Sequence, residues 1–503
     1  MQMPKFNDLF FKRTAIVFFI GLFAVGCFIF SDYGISCDEL AFSRLNGEVN
    51  YNFIKTGDSK ALLSCDEKYH GPAFEIFLYS NEKLFNLTDF RDILLLRHGL
   101  NFLVFFISVV FFYLLGLNFF KSHSSALLCS IMLVASPRIF AEAFYNSKDI
   151  IMLSFCIIAS YTAFVFIERQ TIWWALIHAI CCGFVTDIRI SGLLIPIATL
   201  YLYAIQKQRK VVPLLFFISY TLFFIIAFWP VLWINPIHHF TEALKQLSHF
   251  PVFMTAMYLG KIIDCQNLPW HYVPVWISIT TPFFYILFFL LGLFFVIKNS
   301  FINFFSTLAI QYSLFMFATP ILAVIILNTT IYDSYRHIFF VYPFLLLIAV
   351  YGFTELTKAV KNKWAVKIIS YSTVLSIVFV FGFMIANHPF QNVYFNFLAG
   401  KNCRQNFELD YWGLSYKQGL EYILANDKSP QINVAADLKG ECTINFYSIP
   451  IEERKRLAWT TDLKSANYYL MNFRWHPDDY NLGYTVFQIK VGNAKIMEVQ
   501  KLK

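Results

Sequence analysis

Charge is scarce in this sequence. Only 14% of the 503 residues are Asp, Glu, Lys or Arg, whereas 58% are hydrophobic and the mean hydropathy is +0.55. A soluble fold of this length cannot hide so much apolar surface, which leaves a polytopic membrane protein. A separate basic domain and an RNA-binding motif are also missing. The net charge of +8 falls in short clusters between apolar runs, so it reads as a topology signal and argues against nucleic acid as a partner. There is no C-x-x-C or Cys/His spacing of the kind that holds a metal, no internal repeat and no low-complexity stretch. "CFIFSDYG" at the end of the first apolar run is a poor match to a small-residue cleavage site, so that run reads as a retained helix rather than a signal peptide.

What is abundant is aromatic and aliphatic. Sixty Phe and ten Trp suit lipid-facing helices and interfacial belts. Apolar runs of spanning length fall near 14–31, 99–119, 125–137, 149–167, 172–186, 190–206, 212–233, 275–297, 303–327, 338–356 and 366–386, with the third, fifth and sixth short. Lys5, Lys12 and Arg13 precede the first run. Lys121, Arg169, the group Lys207, Arg209 and Lys210, then Lys298, and finally Lys358, Lys361 and Lys363 occupy every second loop. Basic loops stay cytoplasmic, so the expectation is about 11 transmembrane helices with the N-terminus inside and the C-terminus outside.

The outer side then carries the bulk: a first loop at 32–95, a long loop at 235–274 and the tail. "EALKQLSHF" has helical spacing, and helices lying in the interface plane are expected here. "QINVAAD", "ANYYLMNF" and "YTVFQIKVGNAKIMEVQ" read as strands, the last as a hairpin turning at Gly492-Asn493. The fold class is therefore an all-α polytopic membrane module over 1–390 with a small C-terminal α/β extracytoplasmic domain over 391–503. Of ten cysteines, Cys27, Cys129, Cys156, Cys181 and Cys182 read as apolar core residues, while Cys37–Cys65 and Cys403–Cys442 are plausible disulfides that leave Cys265 over.

The chemistry-bearing residues gather on the outer side. Asp38-Glu39 follows the first helix, and "EKYHGPAFEIF" places His70 before a Gly-Pro turn. "SPRIFAEAFYNSKDI" supplies Arg138, Glu142, Asn146, Lys148 and Asp149; "TDIRISG" supplies Asp187 and Arg189; "NTTIYDSYRHIFFVYP" supplies Asp333, Arg336 and His337. Each has a plainer reading: solvated loop acids for Asp38-Glu39, interfacial anchors for Arg336-His337, a mutual structural ion pair for Asp187 and Arg189. Their recurrence at the outer ends of several helices favours one polar cavity at the membrane surface, because ionisable groups at that depth are costly and face a cavity or a partner.

The order of these motifs resembles the C-type membrane glycosyltransferases (GT-C fold), in the branch of protein O-mannosyltransferases and the lipid A aminoarabinose transferase. That family has an acidic pair in the first outer loop, here Asp38-Glu39. Its His/Lys-Pro-Pro-Leu motif is His70-Gly71-Pro72-Ala73 here, with Gly71 and Ala73 as departures. Its Asn-x-x-Asp-like element is "YNSKD" with Asp149, and its Arg-Tyr/His to Tyr-Pro motif runs from Arg336-His337 to Tyr342-Pro343. "LPWHYVPVWISITTP" and "YFNFLAG…FELDYWGLSYKQGLEY" are similar to a bacterial phospholipid-carrier-dependent subgroup.

The resemblance implies transfer of a sugar from a polyprenyl-phosphate donor to a cell-envelope acceptor, with inversion, in a bacterial inner membrane. Asp38 would be the general base, Glu39 a sugar or acceptor contact, and Asp149 a partner of Lys148, a donor contact or a sharer of the base role. Arg336, His70 and Lys148 would hold the donor phosphate. Arg138, Glu142, Asn146, His337, Asp187 and Arg189 would support them. No metal is required by a monophosphate donor, although Asp38, Glu39 and Asp149 are possible ligands to a divalent ion, as acids are in oligosaccharyltransferases. A polymerase or ligase of lipid-linked glycans, a flippase or transporter, and a non-catalytic scaffold are the other readings. A transporter calls for midplane charges and repeated halves, and here the charges crowd one face.

Overall fold

The computed structural model describes residues 6–248, 254–303, 307–474 and 476–502. Lys5 and the last two residues of "EALKQLSHF" lie outside them.

Length and apolarity dictate the membrane part. Among the described residues, eight helices are long and apolar enough to cross a membrane: Asp8–Ile29, Phe90–Phe120, Asp149–Arg169, Val211–Phe228, Phe283–Ile302, Leu308–Ile326, Arg336–Ala359 and Lys363–Ala386. The three short runs of the sequence are the ones that fall below that standard. His123–Val134 and Pro137–Tyr145 form one apolar pair bent by 66°, which brings the count to nine if the pair is a single span. The bend has a local cause, since Pro137 opens the second helix and a proline cannot continue the first. Ile172–Ile188 and Ile190–Ala204 are shorter apolar helices. The expected eleven thus resolve into eight full-length helices, one broken pair and two short segments. Pro282 also divides the run at 275–297, with helices at Tyr272–Thr280 and Phe283–Ile302 on either side.

Two helices form the centre. Asp149–Arg169 is 83% buried and Arg336–Ala359 is 78%, against 17% to 50% for the other six. Asp149 and Arg336 therefore stand at the leading ends of the two most enclosed helices, both at the face where the long connections lie.

Those connections are largely helical. The first carries a six-residue wide turn at Glu39–Arg44, then helices Leu45–Thr56 and Ala73–Leu84. The long one carries Pro236–Ser248 and a hairpin of β1 (Thr255–Tyr258) and β2 (Lys261–Asp264). The C-terminal region holds helix Tyr416–Asn426 and a five-stranded sheet of β3 (Ile432–Ala436), β4 (Leu457–Trp459), β5 (Tyr468–Met471), β6 (Tyr484–Val491) and β7 (Ala494–Lys501). The order is β4-β3-β5-β7-β6, parallel across β4, β3 and β5 and antiparallel across β5, β7 and β6. The β6–β7 hairpin turns at Gly492 with φ of 55°, a conformation that glycine adopts freely.

All ten cysteines are free, so neither expected disulfide is formed. Cys442 is sealed in the core of the sheet region, whereas Cys37 turns its thiol toward Asp38. Cys27 is exposed rather than part of the core.

Candidate active site

The two adjacent acids have opposite surroundings. Glu39 is buried: its Oε2 accepts from the Ser36 backbone N–H at 2.7 Å and its Oε1 lies 2.9 Å from His98 Nε2. Asp38 keeps 26% of its side chain exposed and places Oδ2 3.5 Å from Arg336 Nη1.

Arg336 is the hub of the site. Its guanidinium is almost fully buried and meets Asp333 at 3.1 Å, Asp149 at 3.2 Å and Asp38 at 3.5 Å. Its planar face lies 4.5 Å from the Trp412 ring and 4.9 Å from that of Tyr332. Five donors in a rigid fork and a stacking face explain why arginine suits this position. Asp149 is closed on both oxygens, one by Arg189 and the other by Arg336 and the Asn146 amide at 3.1 Å. Asn146 also starts the helix below it: Oδ1 accepts from the backbone N–H groups of Lys148 and Asp149, at 3.2 and 2.8 Å. Its Nδ2 reaches Glu142 at 2.7 Å, and Glu142 receives the Tyr411 hydroxyl at 2.6 Å.

Lys148 turns to Glu67, at 3.0 Å, and not to Asp149. His70 Nδ1 lies 3.2 Å from the same carboxylate. Burial works to raise the Glu67 pKa, but Lys148 and His70 outweigh it and hold the carboxyl well below the usual range. Burial lowers the His70 imidazole below its ordinary value despite Glu67, and a net gain from Glu67 and Asp38 raises Lys148 against the effect of its own burial.

The expected Asp187–Arg189 pair does not form. The helix ends at Ile188 and Arg189 is extended, with φ of −148°, so its guanidinium goes to Asp149. Asp187 instead accepts the backbone N–H of Ala73 at 2.9 Å. This contact explains the glycine in His70-Gly71-Pro72-Ala73: a Cβ at Gly71 would collide with the Asp187 backbone carbonyl. Arg138 stands apart from the cluster, its guanidinium 4.9 Å from Phe395 and 5.3 Å from Trp276. His337 is half-buried with its ring edge-on to Tyr332. Arg336 is no interfacial anchor, and Asp38 and Glu39 are not simply solvated.

A narrow cleft is lined by Asp38, Glu39, Asn146, Lys148, Arg336 and Trp412 among others, with Glu39 itself almost fully buried. It offers a partly exposed carboxylate beside two cations, under an aromatic wall. Trp412 and Tyr411 come from the C-terminal region, as does Arg474, which pairs with the other oxygen of Asp333. Tyr411 and Trp412 lie in "FELDYWGLSYKQGLEY", a stretch that resembles the bacterial subgroup, but neither they nor Arg474 stood out as site residues, because nothing local distinguishes them from other aromatic or basic residues. Glu75, Glu82 and Arg97 were also passed over, yet "LLLRHGLNF" carried a usable signal: Arg97 and His98 lie inside an apolar helix.

As a metal site the acids do not fit. Asp149 is closed by two arginines and Glu39 faces His98, so Asp38, Glu39 and Asp149 present no shared set of free oxygens. Among the described residues, no group of three His, Cys, Asp or Glu is arranged to hold an ion.

Residues 90–234 match the family model of dolichyl-phosphate-mannose-protein mannosyltransferases, a segment that contains Arg138, Glu142, Asn146, Lys148, Asp149, Asp187 and Arg189. No curated protein matches the chain by sequence. Among solved structures, the chain is similar to apo ArnT from Cupriavidus metallidurans at 11% identity, covering 97% of this chain and 98% of that one with a TM-score of 0.49. The same protein bound to undecaprenyl phosphate aligns at 11% identity over 96% and 97%, TM-score 0.46. The apo oligosaccharyltransferase of Archaeoglobus fulgidus aligns at 10% identity over 89% of this chain and 65% of that longer one, TM-score 0.49. Over residues 90–234, this multi-pass membrane protein is thus similar to the mannosyltransferases that its motifs resemble.

Proposed function

We propose that the protein transfers a sugar from a polyprenyl-phosphate donor to a cell-envelope acceptor at the outer face of a bacterial inner membrane, with inversion, its N-terminus cytoplasmic and its C-terminus outside. The single observation that carries this reading is Asp38. Of the two acids that line the cleft it is the partly exposed one, it lies 3.5 Å from Arg336, and Lys148 lines the same cleft. A weak hydroxyl nucleophile needs such a base within hydrogen-bond reach.

In the proposed step the acceptor oxygen bonds to the anomeric carbon as the bond from that carbon to the phosphate oxygen breaks. The phosphate leaves with the electron pair, and Asp38 takes the hydroxyl proton. The leaving phosphate gains one negative charge, which Arg336 and Lys148 meet as preorganised cations. The 3.5 Å contact to Asp38 is the longest of the three that Arg336 makes with carboxylates, so it is the one a phosphate displaces at least cost.

Glu39 and Asp149 become positioning residues. Glu39 holds the acidic turn against His98, and Asp149 fixes Arg336. We assign residues 1–390 to the catalytic module and 391–503 to an outer domain that completes it through Tyr411, Trp412 and Arg474. No step runs through a metal.

The test is transfer by purified protein from a panel of radiolabelled polyprenyl-phosphate sugars to envelope fractions. Transfer from one donor, lost in Asp38→Asn with donor binding intact, supports the proposal and names the sugar. Saturable binding of lipid donors with no transfer from any of them overturns it in favour of a flippase.

A further inference from the structure

A second polar cleft lies in the C-terminal region, away from Asp38. Its volume is about 350 Å³, within the range of small-molecule sites. One wall is the turn around Cys403–Asn406, with Lys401, Asn402 and Arg404; the other is the β6–β7 hairpin, with Gln488, Lys490 and Lys495. Its lining holds four cations and several amides, and no carboxylate or aromatic ring.

The four cations are not equivalent. Asp479 holds Arg404 and Lys495, each at 2.7 Å, and Lys495 also meets Glu498. Arg404 is further fixed by lying flat over the Phe473 ring, 4.2 Å away. Asp479 thus stands behind the lining and ties the two walls together. Lys401 and Lys490 are exposed, and among the described residues their ammonium groups make no hydrogen bond or ion pair. The result is a fixed basic wall with two ammonium groups left over and amide side chains between them. That set matches a phosphate with neighbouring hydroxyls, since cations take the anion and amides pair with hydroxyls.

The location points to a membrane-borne ligand. Phe397 and Leu398, just before Lys401, are exposed, at 68% and 48%. The Phe397 ring packs 4.7 Å from that of Phe283, which begins the apolar helix Phe283–Ile302. The mouth of the cleft is therefore close to the end of a spanning helix, where lipid headgroups lie.

We propose that this cleft binds the phosphate-bearing, hydroxyl-rich headgroup of an amphipathic molecule in the outer leaflet. Taken as the place that holds the acceptor, it rests on the transfer proposed above; the binding itself does not, and it is read without any transfer assay.

The experiment uses the full chain in phosphatidylcholine nanodiscs. The probes are glucose 1-phosphate, glucose, and phosphatidic acid introduced into the disc, read by calorimetry for the sugars and native mass spectrometry for the lipid. Lys401→Gln and Lys490→Gln change exposed side chains, so folding is expected to be unaffected, and Lys439→Gln, another exposed lysine outside the lining, serves as the control. Loss of one charged contact is expected to weaken phosphate binding about tenfold, and raising the salt should weaken it further. Binding of glucose 1-phosphate but not glucose, reduced in both lysine variants and unchanged in Lys439→Gln, supports a headgroup recognised without its lipid. Retention of phosphatidic acid alone, with the same pattern of loss, supports a headgroup recognised only on its lipid. Equal binding by the wild type and the Lys401→Gln/Lys490→Gln double variant, or no binding of any phosphate probe at low salt, overturns the proposal.

Discussion

Two clusters of buried charge stand side by side at the same end of this molecule, and they differ in one respect. The first runs from Glu48 through Arg44, Glu82 and Arg97 to Glu75, which also receives the Ser147 hydroxyl. Its inner members are 1% to 2% exposed and each meets partners on other elements, tying the first outer connection to the helix Phe90–Phe120. The second joins Arg474, Asp333, Arg336, Asp149 and Arg189, and ends at Asp38, which is partly open to a cleft and held by its longest contact. Buried charge alone does not mark a site. The inner part of the first ladder is a brace, because Glu82, Arg97 and Glu75 are neutralised where they stand; a partly open carboxylate that lines a cleft can exchange a proton or a partner.

The comparison breaks most sharply at its two ends. Asp38→Asn is expected to lower the transfer rate by about 10²–10⁴-fold, the usual contribution of a general base, with the melting temperature hardly changed. Arg97→Met should do the reverse. It strands Glu75 and Glu82 in the interior, at a cost of about 3–5 kcal/mol, and a fall in thermal stability in detergent checks it. Arg474→Gln tests whether the outer region is part of the site. Arg474 acts through Asp333 on Arg336, so kcat should fall about tenfold with little change in acceptor KM, and Arg474→Lys should recover part of it. No fall in kcat would make the outer region a bystander.

Acidification sharpens the contrast further. The His70 pKa is depressed in the folded protein, so below its ordinary value of about 6.5 the unfolded chain binds a proton that the folded one does not. Stability should therefore decline as pH falls from about 6.5, and His70→Gln should flatten that decline in melts at graded pH. Glu67 is also depressed, so its contribution is complete above about 4.3 and is lost only as pH falls through its lower folded value; it should not contribute in the His70 window. The smallest expected effect is that of a chelator, since the acids at the site are occupied by arginines: EDTA should leave the transfer rate unchanged.

Much of this architecture was legible in the chain. Apolar run length gave the membrane helices, but the bend before Pro137 was not read, because 125–137 passes as one continuous apolar run. The side on which the polar residues gather was readable because they recur at the ends of successive runs, and the structure brings Asp38, Asn146, Lys148, Asp149, Arg189 and Arg336 to one place. Pairing was not readable. Asp187 and Arg189 are two residues apart, but the backbone turns between them and Arg189 finds Asp149 across helices. Cys37 and Cys65 share a loop without meeting, because sequence distance says nothing of side-chain direction. The resemblance already set Asp38 as the base apart from Glu39 as a contact; what was hidden is the partner that buries Glu39, His98, which is contributed by another helix.

That division is the central claim, and one measurement addresses it directly: initial transfer rates of Asp38→Asn and Glu39→Gln, side by side, at saturating donor and matched folded fraction. The account predicts a loss of about 10²–10⁴-fold for Asp38→Asn and less than about tenfold for Glu39→Gln, whose amide oxygen can still accept from the Ser36 N–H. The opposite ranking, or equal losses, would contradict it.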